Sequence, residues 1–263
     1  MSAIRALFLR DARIDRSYHF AFALRAVGIG VGSLSLLFLG RIVDAPEALA
    51  PYGGDYFAFA LLGLALVRAV QPALTGPKDA ITGAQADGTL EALLVRPVRL
   101  EALLGGSIVY PLTFAFAEAA FMLTVGIALG ARYMAAGIPV ALLATALFVL
   151  AQAGIGALAA AVVLLTKRGD PVVWLVGQAT SVLCGVVFPV SVMPGALQAL
   201  AKVFPAYHAL EVARRSLAGT ATVGDIGRGL GALAALALVL PIGLALVRRS
   251  LDVARRAGTL ASA

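Results

Sequence analysis

Few side chains in this 263-residue chain combine the reactivity and the setting that chemistry requires. Three ionisable residues, Arg25, Arg68 and Glu118, stand within or at the edge of apolar runs. Charge in hydrocarbon is costly, so such residues pair with one another or line a polar path. Arg68 lies about seven residues from one end of its run and Glu118 about eleven from the same end of the next, roughly 6 Å apart in depth at about 1.5 Å per residue. That match predicts an ion pair between Arg68 and Glu118, with a place in a substrate path as the other reading. Arg25 falls near the start of its run, where its side chain reaches headgroup level. Membrane-embedded enzymes need clustered carboxylates for metal or acid–base work, or a nucleophile beside its base. Glu118 is the one carboxylate of an apolar run, and His19 and His208 stand alone at opposite predicted faces. The single Cys184 lacks a partner for a disulfide or a thiolate metal site, so no metal site is predicted. A phosphate-binding loop needs Gly-Lys followed by Ser or Thr, whereas the lysines here, Lys78, Lys167 and Lys202, follow Pro77, Thr166 and Ala201.

The elements that carry these residues are set by composition. Of all residues 61% are hydrophobic and 13% charged, with a mean hydropathy of +0.95. A soluble domain averages about 45–50% apolar and about 25% charged. Crossing a hydrocarbon core about 30 Å thick takes about 20 apolar residues in a helix. Six runs qualify: residues 20–43, 56–75, 107–130, 138–166, 172–188 and 230–247. The fold class expected is an all-α integral membrane domain over residues 1–263 with six transmembrane helices. Ahead of them, Ile4, Leu7 and Phe8 keep helical spacing with arginines on other faces, which predicts an interfacial helix over residues 1–19 and no removable signal peptide. Gly154 and Gly156 in the fourth run allow close helix approach in lipid.

The net charge of +7 and pI of about 10.1 would suggest nucleic acid in a soluble protein. Here the basic residues cluster at the ends of apolar runs, which points to membrane lipid headgroups and orientation instead. Thirteen Lys and Arg fall on the side of the N-terminal arm, the 76–106 segment, the 167–171 turn and the tail, against six on the other side. Both termini and residues 76–106 are therefore predicted cytoplasmic.

Two segments outside the runs have structure of their own. In residues 76–106, Leu90, Leu93 and Leu94 fall on one face of a short helix that Pro97 limits, and the Leu-Glu-Ala-Leu-Leu string recurs at residues 100–104. An amphipathic helix of this kind lies on lipid or docks on a protein, and spacing alone does not separate the two. Residues 189–229 are broken by Pro189, Pro194, Pro205 and Gly219, leaving helical spacing at Leu197, Leu200, Ala201 and Phe204 and again at Leu210, Ala213 and Leu217. This predicts two short re-entrant helices on the extracellular side. His208, Glu211, Arg214 and Arg215 would form a polar face on the second.

Gly88-Thr89-Leu90-Glu91, with Asp87 before it and Leu93, Leu94 and Pro97 after, resembles the cytoplasmic coupling segment of the type-2 ABC exporter permease family. Phe188-Pro189, Met193-Pro194, Leu197-Gln198, Pro205 and the cluster from Leu210 to Arg214 resemble that family's segment before the last span. The resemblance extends over the whole chain and implies a plasma (inner) membrane permease for drugs, lipids or polysaccharides. It implies a separate ABC ATPase in two copies that carries the ATP and Mg, a second permease as partner, and no cofactor on this chain. Two rival functions remain at this stage. A secondary transporter or channel would show inverted repeats or interrupted spans around a midplane ion site, and a lipid-modifying enzyme would show the clustered groups missing above.

Overall fold

Apolar runs of membrane length become helices because hydrocarbon offers backbone N–H and C=O groups no partner except each other. The computed structural model describes residues 19–43, 46–86, 88, 100–166 and 171–256, and these are helical or connecting turns. In chain order the helices are α1 (His19–Gly40), α2 (Tyr56–Ala86), α3 (Leu100–Ala128), α4 (Ile138–Thr166), α5 (Pro171–Leu183), α6 (Gly195–Ala201), α7 (Pro205–Ala218), α8 (Val223–Ala237) and α9 (Val239–Arg256), with a single helical turn at Pro46–Leu49. Five stretches among the described residues are long and apolar enough to cross a membrane, α8 and α9 together forming one. The interfacial helix expected over residues 1–19 lies outside the described residues but for His19, which opens α1.

The bundle is organised on α4. It packs against α2, α7, α8 and α9, while α2 also packs along α3. In lipid this association rests on close packing and not on expulsion of water. Gly156 lets α4 meet α2: a Cβ there would lie 2.9 Å from the carbonyl oxygen of Ala73. Gly154 and Gly243 do the same for α4 and α9, a Cβ on Gly154 falling 2.6 Å from the backbone nitrogen of Leu240. The use expected for the α4 glycines is thus the one they have. Phe148, Leu61, Leu74, Ile81, Leu210 and Leu233 are fully buried between these helices. By contrast α1 and α5 expose Leu24, Val27, Val31, Phe38, Trp174, Leu175 and Val182.

The structure differs from the sequence expectation at several helix ends: α3 starts at Leu100 and not near Ser107, and α9 runs on to Arg256 past Val247. α2 runs on to Ala86 in place of stopping near Thr75, through Pro72 and Pro77. A proline in a helix frees a carbonyl one turn earlier, and neighbouring helices can answer such disturbed groups. The carbonyls freed in this way are those of Arg68 and Ala73, and α3 meets the same stretch of α2 through the Ser107 hydroxyl, which donates to the Gly76 carbonyl at 3.3 Å. α5 stops at Leu183, not near Phe188, and gives way to an irregular stretch in which Gly185 has φ of 75°. The last helical stretch begins at Val223 in place of about Leu230, so residues 223–229 leave the segment assigned to loop. Thr222 and Asp225 form a capping box there, with the Asp225 N–H donating to Thr222 Oγ1 at 3.1 Å. This stretch then breaks at Leu238, because Pro241 cannot donate to the Ala237 carbonyl and its ring crowds it.

Candidate functional site

Two ends of the bundle concern function. Gly40 and Phe57 are neighbours, as are Gly126 and Leu61, so the end of α1, the start of α2 and the end of α3 share one level with α6 and α7. This is the short-helix end. At the hairpin end, α2 and α3 are joined through residues 87–99. Gly88 alone of that link is described. It has φ of 64°, where a side chain would be strained, and its N–H donates to the Gln85 carbonyl at 3.0 Å, closing α2. Asp87, Thr89, Leu90, Glu91, Leu93, Leu94 and Pro97 lie outside the described residues. α2 has 31 residues, roughly 46 Å of helix, against a hydrocarbon core of about 30 Å.

Partway along the bundle, α1, α2 and α3 enclose an open cavity of about 620 Å³ lined by Arg25, Arg68, Gln71, Thr75, Tyr110 and Glu118 among others. Arg68 and Glu118 are thus brought to one site, but the ion pair expected between them is not made. Glu118 Oε1 lies 3.7 Å from Arg25 Nη1 instead. The Arg25 guanidinium also stands over the Phe114 ring at 5.2 Å, so it turns toward α3 and does not simply extend to headgroups. Arg68 is exposed to the cavity and makes no hydrogen bond or ion pair among the described residues. The reason is rotation about the helix axes: Arg25, nearly two turns into α1, reaches the α3 face that Arg68 was expected to occupy.

At the short-helix end one residue of α7 dominates. Arg214 is 4% exposed, and its Nε donates to the Phe59 carbonyl at 3.1 Å, its Nη1 to Gly185 at 2.5 Å and its Nη2 to Val186 at 2.6 Å. The guanidinium carbon also stands 3.5 Å from the centre of the Phe59 ring. The planar fork suits carbonyls from two chain segments at once, which an ammonium cannot match. It supplies donors to the backbone left unpaired where α5 ends, the condition under which irregular backbone persists at membrane depth. Gly63 of α2 makes room: a Cβ there would overlap the guanidinium and the Val186 carbonyl.

Arg214 therefore points into the bundle and not onto the polar face expected for it. That face holds His208, Glu211 and Arg215. Glu211 accepts from the Tyr52 hydroxyl and, at 2.9 Å, from Arg215 Nε. Burial first, then the Glu211 carboxylate, raises the Tyr52 pKa and keeps the phenol a donor. His208 Nε2 lies 2.8 Å from the Lys202 carbonyl oxygen. Of the prolines, Pro189 is buried before a turn of 3-10 helix, Pro194 precedes α6, and Pro205 takes the first position of α7, where its missing N–H is harmless. Tyr133 donates to the Ala58 carbonyl at 2.9 Å, and Met134 N–H to Leu217 at 2.7 Å, fastening the loop before α4 to α2 and to α7.

Sequence reasoning missed Tyr52, Phe59, Gly63 and Gln71. Asp55 and its two preceding glycines carry a legible signal for the first of these, since Asp55 Oδ1 caps α2 by accepting from Phe57 N–H at 2.9 Å. The partners of Arg214 leave no local signal, because they lie 28, 29 and 155 residues away.

No curated protein matches the chain. The sequence profile of a family described as ABC-2 type transporter matches residues 73–217, from the middle of α2 to the last turn of α7. That match covers more than half of the chain and takes in the hairpin, α4 and the Arg214 helix. A domain of this family is a transport permease and not a catalytic one, and together with the five apolar stretches it makes this a multi-pass membrane protein. The chain belongs to the ABC-2 type transporter family.

Proposed function

We propose that this protein is the permease subunit of an ATP-driven exporter in the plasma membrane, coupled to a separate ABC ATPase in two copies through residues 76–106. The observation that supports the reading most directly is the length of α2. About 16 Å of it exceeds the hydrocarbon thickness at about 1.5 Å per residue, and α3 packs alongside, so the two form a stiff lever with the coupling segment at its tip. A motor on another chain moves the membrane part only through contacts of this kind. Leu90, Leu93 and Leu94 fill an apolar groove on the ATPase, and Glu91 makes a charged contact beside it. The hairpin end and both termini face the cytoplasm, in keeping with thirteen basic residues on that side against six. α5 with residues 184–189 forms the sixth crossing, a reading supported by the meeting of Gly185 and Val186 with Phe59 through Arg214. The exposed apolar sides of α1 and α5 suit lipid and a second permease, of this sequence or a related one.

The test is retention of ATPase activity by the tagged chain purified in detergent, together with ATP-dependent export in cells. Wild type retains both, and Glu91→Arg with Leu94→Asp loses both while still inserting. Wild-type levels in the double variant, or no ATPase activity with the wild-type chain, would refute the coupling role.

A further inference from the structure

We infer that the cavity between α1, α2 and α3 is a binding site for the anionic headgroup of an amphiphile, of the phosphate or carboxylate class, that enters from the leaflet at the hairpin end. Depth is the first consideration. Counted from the short-helix end at about 1.5 Å per residue, Glu118 lies about 15 Å down α3, Arg68 about 18 Å down α2 and Arg25 about 22 Å down α1. All three are within the thickness of hydrocarbon, near its middle or toward the hairpin side. The cavity continues from them to Thr75 and Tyr110, nearer the hairpin end.

Charge is the second consideration. Among the described residues two guanidinium groups face this cavity against one carboxylate, an excess of positive charge where such imbalance is unfavourable. The pair that does form is loose: Arg25 and Glu118 are 3.7 Å apart, beyond hydrogen-bond distance, and the Arg25 side chain is 58% exposed. Arg68 has no hydrogen bond or ion pair among the described residues. Both guanidinium groups therefore have donors to direct at an incoming oxyanion, a task their planar fork suits. Gln71 adds amide donors and Thr75 a hydroxyl on the same wall. The lining residues lie at membrane depth, so a ligand that reaches them from the bilayer carries an apolar portion as well as the anion. The inference rests on membrane insertion alone and not on coupling to an ATPase, so either can fail without the other.

Glu118 gives the test its sign. It competes with the ligand for Arg25, so its neutralisation strengthens anion binding, whereas a structural pair or a cation site predicts no change or a loss. The experiment measures binding of dihexanoyl phosphatidic acid, dihexanoyl phosphatidylcholine and inorganic phosphate to the full chain in detergent, with size-exclusion elution as the check on folding. Phosphatidic acid is expected to bind at least about tenfold more tightly than either of the others, about 1.4 kcal/mol. Arg68→Gln weakens it about tenfold, and Glu118→Gln strengthens it severalfold. Native mass spectrometry of the chain as isolated separates two sources. A phospholipid adduct present in wild type and lost in Arg68→Gln identifies a resident lipid, while a site empty on isolation that binds added phosphatidic acid identifies an exchanging amphiphile. Equal affinity for phosphatidylcholine, equal affinity for inorganic phosphate, or a Glu118→Gln variant that binds no better than wild type would overturn the inference.

Discussion

Replacing Arg214 by methionine removes the group that holds α5, α7 and α2 together while keeping side-chain length and most of the volume. Three carbonyl oxygens, those of Phe59, Gly185 and Val186, lose their donor in a region where water does not replace it. An unpaired buried polar group costs about 1–3 kcal/mol. Relief of the desolvated guanidinium offsets part of the sum over the three carbonyls, which leaves a net cost on the order of 3 kcal/mol. At about 2–4 °C per kcal/mol for a domain of this size, the melting temperature in detergent should fall on the order of 10 °C. Arg214→Lys keeps the charge but not the fork, and should fall between the two. Gly63→Ala should reproduce much of the loss from the other side, because its Cβ overlaps the guanidinium. The double variant Gly63→Ala with Arg214→Met should then be less destabilised than the sum of the singles, since both act on one contact. Fluorescence-detected thermal melting of the purified chain measures all four. A fall of less than about 2 °C for Arg214→Met, or strictly additive losses in the double variant, would refute the account of the buried clamp.

Gly156→Val should separate α4 from α2 and cost about 1–3 kcal/mol, as overpacking does, read as a lower melting temperature and a smaller folded fraction on size exclusion. Tyr52→Phe removes the hydroxyl that Glu211 accepts from and should cost about 1 kcal/mol at neutral pH, in the same assay. Burial holds the Tyr52 and Tyr133 phenols above the ordinary value of 10.0. The unfolded chain then releases their protons first, so stability should fall as pH rises past that value, and each Tyr→Phe substitution should make the alkaline decline shallower in melts from pH 9 to 11.

Much of the architecture was legible because membrane helices are written in long apolar runs. α4 begins and ends at the residues its composition marks, Ile138 and Thr166, and the prolines at 194 and 205 correctly announce α6 and α7. The end of α2 was not legible, since Pro72, Gly76 and Pro77 read as breakers to any local rule. The helix continues inside the bundle, where α3 and α4 pack closely along this stretch at Ser107 and Gly156. Partner choice was the weaker part. Depth arithmetic set Glu118 near Arg68 but carried no rotation about the helix axis, and rotation gives Glu118 to Arg25. Arg214 had a signal that was passed over. It lies four residues after Leu210 and three before Leu217, within the apolar stripe of α7 and off the polar face with His208, Glu211 and Arg215. A charged residue in an apolar stripe calls for a buried partner, and here the partners are backbone atoms, which no side-chain pattern reveals.

The space beside Gly63 holds the Arg214 guanidinium together with the Val186 carbonyl it donates to, so the two positions are tied to one contact. A lineage that keeps arginine at 214 is constrained to glycine at 63, and one that gives up the arginine still meets the Val186 carbonyl there, so alanine enters only if the backbone after α5 shifts as well. The path between the two states passes through an intermediate that is either crowded or missing its donor, so the pair should change rarely and together. Among related permeases, tight coinheritance of these residues, 151 positions apart in the chain, would record in the sequences themselves the contact between α2 and α7.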